Sequence, residues 1–283
     1  MSKDYLLYSE LEKDLTPDSK VFYVNGCSMT YGQELCGISE YTDVFNHFDF
    51  LPQDYHHERL KRCWAGHMHS ALFSDHIFFN AAQGGSSNHR IFRVTLTHIN
   101  SMLQLGVKPE NIFVVISFTN MLRLGLYDSK KENWIDLFLT LKYGGPEKHY
   151  NEFADLYLEN FVAPKSVAIE ALMNILQMQS FLKSVGVKYA LCEGIPMTML
   201  SVEHNDRIQL VDHPLYKAID MSKWLMYNEE LLNKTKSMWS TDFGSWSIRK
   251  QYPIGPNYHP LEEAHKAWAD ALIACIQNKE NLL

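Results

Sequence analysis

NIFVVISFT, residues 111–119, is apolar at consecutive positions rather than at alternate ones. A short run of this kind, rich in β-branched residues, reads as a strand buried on both faces. Such strands belong to parallel sheets covered by helices on either side. Upstream, KVFYVNG (20–26) and HIFFNAA (76–82) read as two further strands, and downstream VKYALCEG (187–194) reads as a fourth. Helical patterns lie between them. NHRIFRVTLTHINSMLQLGV (88–107) sets Ile91, Val94, Ile99, Met102 and Leu103 close to helical spacing and stops at Gly106. KSVAIEALMNILQMQSFLKSVG (165–186) stops at Gly186. PLEEAHKAWADALIACIQN (260–278) starts with Pro260 in its first turn and two glutamates near its positive end. This alternation predicts a mostly parallel sheet between two helix layers. Three stretches, 33–75, 121–163 and 195–257, are too long for plain connections and read as large insertions, functional or carrying small elements of their own, that border the crevice at the strand ends.

With 283 residues, 46% of them hydrophobic and 21% charged, the chain is globular and suits one large domain. The formal charge of −7, with no run of five or more Lys/Arg, argues against nucleic acid or an anionic membrane as partner. The five cysteines (Cys27, Cys36, Cys63, Cys192 and Cys275) show no CxxC spacing. They read as free thiols in a reducing compartment, with neither a zinc site nor a disulfide framework. No stretch approaches the ~18 apolar residues of a membrane span. MSKDYLLYSELEKDL (1–15) carries charges on both sides of a short apolar run, unlike a signal peptide. The expected location is cytoplasmic.

FYVNGCSMTYG (22–32) raises the functional question. The first strand stops at Asn25-Gly26 and sets Cys27, Ser28 and Thr30 in the crevice beyond its carboxyl end, where open α/β sheets bind ligands. Three other blocks end a strand or open a helix in the same way. NAAQGGSSNHRI (80–91) carries Gly84, Gly85, Ser86 and Asn88. SFTNMLR (117–123) carries Asn120 and Arg123, and GPNYHPLEEAHKAWA (255–269) carries His259. In this order the four blocks resemble the SGNH, or GDSL-like, hydrolases, and look similar to divergent SGNH proteins of bacteria and their phages. The resemblance covers most of the chain by element order and about forty residues by motif.

The chemistry asks for these residue types in its own right. A serine hydroxyl is a weak nucleophile until a base takes its proton. Ser28 is the candidate nucleophile, and His259 the base that later returns the proton to the leaving group. The resemblance implies an oxyanion hole built from the Ser28 N–H, the Gly85 N–H and the Asn120 side chain. Gly85 matches the family glycine better than its neighbour Gly84.

Two positions depart from the family. Cys27 stands where Gly-Asp-Ser has its Asp; a small buried side chain suits it better than a nucleophilic role. The family's acid, two or three residues before the histidine, is replaced by Asn257 and Pro256, and no carboxylate lies between Asp242 and Glu262. The third catalytic member is therefore open between Asn257, a carboxylate from elsewhere such as Asp242, a main-chain carbonyl, or nothing. An Asn holds a histidine tautomer without stabilising the imidazolium by charge.

Other patterns carry less. His56-His57 and His67/His69, which would share a face on a strand, suggest metal but lack a third ligand nearby and read as loop histidines. GGSSN lacks the lysine of a phosphate-binding loop, so a nucleotide-dependent transferase is a distant reading. His265 faces solvent or packs on the last helix. Arg123 is a candidate for an anionic substrate group, and a surface ion pair is as good a reading. Trp64, Trp246 and Tyr258 suggest a sugar platform, with core or loop packing preferred.

The expected fold is therefore a three-layer α/β/α domain over 1–283 with a flavodoxin-like parallel sheet of about five strands and large loop insertions. The expected function is that of a serine esterase acting through an acyl-enzyme on Ser28. Its substrate would be a small-molecule or carbohydrate ester, such as an O-acetyl group on a sugar. Catalytic residues would be Ser28, His259 and Asn257, with Arg123 and Tyr258 on the substrate and no metal or cofactor. The alternative is a catalytically weak or inactive SGNH-fold protein that binds a glycan or forms part of a larger assembly.

Overall fold

Val21–Asn25, Ile77–Asn80, Ile112–Phe118 and Lys188–Glu193 form strands β1, β2, β3 and β6. They lie side by side and all parallel in the order β2-β1-β3-β6. The computed structural model describes residues 15–36, 53–144, 147–197, 212–227, 241–279 and 282. Strands β4 (Arg123–Asp128) and β5 (Asn133–Phe138) pair antiparallel in a separate hairpin, with Arg123 opposite Phe138. The helices are α1 (Ser28–Tyr31), α2 (Gln53–Arg62), α3 (Trp64–Leu72), α4 (Asn88–Gln104), α5 (His149–Phe161), α6 (Pro164–Ser184), α7 (Pro214–Lys217), α8 (Phe243–Arg249) and α9 (Glu262–Gln277).

The unbroken apolar runs have the expected cause. Alternate side chains of each inner strand enter opposite helix layers. Val21 and Tyr23 of β1, with Ile112, Val114 and Ile116 of β3, pack with Ile91 and Val94 of α4 and Leu172 and Ile175 of α6. Phe22 and Val24, with Phe113 and Val115, pack with Trp64 and Met68 of α3 and Trp268 and Leu272 of α9. The result is a sheet between two helix layers, as the sequence predicts.

Several expectations need correction. Among the described residues the main sheet has four strands, not five. At β6 the described residues add one further bridge, Leu191 to Trp224. The stretch 33–75 carries elements of its own, α2 and α3, and α3 belongs to a helix layer. The stretch 121–163 carries the β4–β5 hairpin and α5, and 195–257 carries α7 and α8, with 198–211 and 228–240 outside the described residues. Pro260 precedes α9 instead of opening it, because Leu261 is the N-cap and Pro260 bridges to Ile254. Among the described residues no helix is long and apolar enough to cross a membrane.

The strand order fixes where a ligand can sit. The chain leaves β1 for β2 on one side and reaches β3 on the other, so the helices after these strands diverge. The crevice between the carboxyl ends of β1 and β3 is the topological switch point of the sheet.

Candidate active site

Ser28 opens α1 directly beyond β1, with Cys27 as N-cap. The turn is possible because Gly26 has no side chain: a Cβ there would stand 2.3 Å from Thr30 Oγ1 and 3.0 Å from Ser117 Cβ. Asn25 fixes the strand end. Its Oδ1 accepts from Gly26 N–H at 2.8 Å, and its Nδ2 donates to the Ile91 carbonyl at 3.1 Å and to Thr95 Oγ1 at 3.0 Å on α4. Ser28 is 5% exposed, whereas Cys27 is fully buried and packs towards Gly194 at the end of β6.

Gly85 sits in the loop after β2 with φ 80°, a left-handed conformation that favours glycine. Among the described residues the backbone N–H groups of Ser28 and Gly85 have no protein acceptor. Asn120 follows β3. Its Oδ1 accepts from Leu122 N–H at 2.7 Å and its Nδ2 donates one hydrogen to the Pro196 carbonyl at 3.0 Å, which leaves the second hydrogen unspent in that pair. Asn88, at the start of α4, holds the preceding residue like a strand partner. Its amide donates to the Thr119 carbonyl at 2.7 Å and accepts from Thr119 N–H at 2.9 Å.

His259 brings the main correction. Its Nδ1 lies 2.9 Å from Oε2 of Glu34, and the two side chains are 13% and 5% exposed. Asn257 does not meet the ring; its backbone N–H and its side-chain amide both donate to Glu34, at 2.9 Å and 3.2 Å to Oε1. The His259 N–H donates to Glu34 Oε2 as well, at 3.1 Å. The 255–259 turn thus wraps one carboxylate, and it closes tightly because a Cβ on Gly255 would stand 2.8 Å from Glu34. A carboxylate acceptor keeps the proton on Nδ1 and frees Nε2 to take another. Burial lowers the His259 pKa below the ordinary histidine value; the Glu34 hydrogen bond and charge oppose this, and the Arg123 charge adds to it.

Glu34 follows α1 closely, and Gln33 N–H donates to the Ser28 carbonyl at 3.1 Å, so the short segment 28–34 links Ser28 and His259. They are not hydrogen-bonded to each other; such contacts are often long before substrate binds. Asp242, the other carboxylate considered, caps α8 through Oδ1 at 2.7 Å from Ser245 N.

Arg123, at the start of β4, lays its guanidinium over the Phe138 ring at 4.4 Å and donates from Nη1 to the Ser86 carbonyl at 3.4 Å. Tyr258, at the apex of the 255–259 turn, is 79% exposed with φ 63°. Trp64 is fully buried, and Trp246 packs on Tyr252 and Trp268, so both belong to the packing around α9. His67 and His69 lie on α3, a helix rather than a strand. Of the two readings of His265, packing holds: it is buried, and its Nδ1 accepts from Trp64 N–H at 3.0 Å. Among the described residues no three His, Cys, Asp or Glu side chains gather as a metal site.

Residues 51–282 match the model of a family of unknown function, DUF6071. The chain belongs to that family. No curated protein matches this DUF6071 sequence. Among solved structures it is similar to a psychrotrophic esterase, EstA, from Pseudoalteromonas, at 12% identity and TM-score 0.41 over 92% of this chain and 97% of that one. It is also similar to a lipolytic protein of the G-D-S-L family from Veillonella parvula, at 11% identity and TM-score 0.39, over 91% and 98% of the two chains. A third is an α/β hydrolase from a lake metagenome, at 11% identity and TM-score 0.41 over 91% and 95%. Likeness of this degree assigns no activity and no residue roles to the DUF6071 chain.

Proposed function

We propose that this chain is a serine esterase of SGNH type, folded as one domain, with Glu34 in place of the family's usual acid. The observation that carries this reading is the part-buried Glu34–His259 pair, whose carboxylate lies six residues after Ser28 at the end of β1. Glu34 accepts the Nδ1 proton and stabilises the imidazolium by charge, which Asn257 would not do. His259 Nε2 takes the proton of Ser28 as its hydroxyl attacks the acyl carbon. The tetrahedral oxyanion is met by the Ser28 and Gly85 N–H groups and the spare hydrogen of the Asn120 amide. Collapse expels the alcohol with the proton from His259, and water then releases the acid by the same steps in reverse order. The substrate is a small acyl ester, an O-acetyl group on a carbohydrate being the favoured case. Tyr258, exposed one residue before the base, offers a flat face to a sugar ring.

The test has two readouts. Fluorophosphonate labelling followed by intact mass should add one probe to wild-type protein and none to Ser28→Ala. Hydrolysis of 4-nitrophenyl acetate should fall to background in Ser28→Ala and His259→Ala. Glu34→Gln should lower kcat steeply, with the ~10⁴-fold loss of the Asp-to-Asn change in a serine-protease triad as the upper guide. Asn257→Ala should cost far less. Equal rates for wild type and Ser28→Ala, without labelling, would leave a fold kept for binding.

A further inference from the structure

Arg123 is a partly buried cation that no carboxylate meets among the described residues, in a chain with an excess of carboxylates. The sequence holds 33 Asp and Glu against 26 Lys and Arg. Some surface cations have acidic partners, as in Lys20–Asp75 and Arg62–Glu262. Arg123 is only partly exposed, and among the described residues no carboxylate pairs with it. Leaving a partly buried guanidinium uncompensated is unfavourable unless another group meets it. The side chain is also held. Its plane rests 4.4 Å from the Phe138 ring centre and one nitrogen bonds the Ser86 carbonyl. The same Phe138 ring lies against Gly85, where a Cβ would stand 3.2 Å from it. The guanidinium is thus held against the loop that carries the Gly85 N–H, and its charge is among the influences that lower the His259 pKa. Of its five N–H donors one is spent in that contact.

We infer that Arg123 is a specificity-determining residue that receives a carboxylate carried by the ester substrate. This rests on the esterase reading for its chemistry, though not for the binding of the anion. A planar carboxylate matches a guanidinium fork whose orientation is already fixed. Its arrival would also neutralise the charge that disfavours imidazolium, so the correct substrate makes the base more effective as it binds.

The experiment compares 4-nitrophenyl acetate, mono-4-nitrophenyl succinate and 4-acetoxybenzoate, which are neutral, anionic on the acyl side and anionic on the alcohol side. Wild type, Arg123→Gln and Arg123→Lys are assayed, together with calorimetric titration of the Ser28→Ala protein by succinate and by benzoate, with and without Arg123→Gln. One anionic ester should exceed the acetate in kcat/KM by about tenfold or more. Arg123→Gln should erase that ratio through KM, and Arg123→Lys should restore part of it. An unchanged anionic-to-neutral ratio in Arg123→Gln, or no anion preference in wild type, overturns the proposal. Arg123-dependent carboxylate binding without turnover of any ester would sink the esterase reading and leave the anion site standing.

Discussion

Glu34 reaches His259 because the chain leaves α1 through a left-handed turn. Gly32 has φ 80°, and Glu34 and Cys36, which are not glycines, have φ 67° and 69°. Each such non-glycine residue costs roughly 1–2 kcal/mol and persists only where its surroundings over-determine it. Here the Glu34 carboxylate meets donors from Asn257 and from both the main chain and the ring of His259. The opposed influences on His259 make a signed prediction. Burial lowers its pKa from 6.5 and the Glu34 hydrogen bond resists the fall. A general base works only when neutral, so the acid limb of kcat/KM should lie below pH 6.5. In Glu34→Gln the resisting group is gone while burial and Arg123 remain, so the limb should move further down as the rate drops. A pH–rate profile for both proteins decides this; a limb at or above 6.5, or one that moves up in the variant, contradicts it.

Helix α8 shows why the carboxylate nearest before His259 in sequence does not pair with it. Asp242 is the carboxylate that most closely precedes His259, yet its place at the N-cap commits Oδ1 to Ser245 N–H, and Oδ2 is buried without a partner. Burial raises its pKa above the ordinary aspartate value. The folded state then holds its proton more tightly than the unfolded one, so its contribution is fully present below the unfolded pKa and is lost as pH rises. Asp242→Asn keeps the cap and cannot ionise. It should raise stability at pH 7, with the gain shrinking towards pH 4, and leave ester hydrolysis intact. Urea unfolding at both pH values measures this; a loss at pH 7 would refute the assignment. What was legible follows the same logic. The inner strands and the helices α4, α6 and α9 announce themselves by local period, because each buries a continuous face. The β4–β5 hairpin does not, since its residues are mostly half-buried and interleave charge with apolar groups. The positions of Ser28, Gly85 and Asn120 after strands and of His259 before α9 were legible from the same local patterns. Glu34 was not: its pairing with residue 259 spans most of the chain and leaves no spacing to read.

Across the molecule, the layer holding α3 and α9 is tied together by a histidine that has no role in the proposed chemistry. His265 of α9 accepts the Trp64 N–H at the first turn of α3, under the Phe243 ring at 4.8 Å. It thereby satisfies a helix-start donor that would otherwise be orphaned in the core. Complete burial, with His67 of α3 and His259 nearby, brings its pKa down to about 3. Below pH 6.5 the unfolded chain gains a proton at this residue that the folded chain refuses, so stability falls as pH drops from 6.5 towards 3. The loss across that window should be on the order of a few kcal/mol. His259, also lowered, adds to the same trend. His265→Gln retains an acceptor for Trp64 and has nothing to protonate. It should be somewhat less stable than wild type at pH 7, by roughly 1–2 kcal/mol from imperfect packing, yet lose less between pH 6.5 and 4. The two curves of unfolding free energy against pH should therefore converge in acid. Parallel curves would mean that acid sensitivity resides in other groups and that His265 merely fills space between α3 and α9.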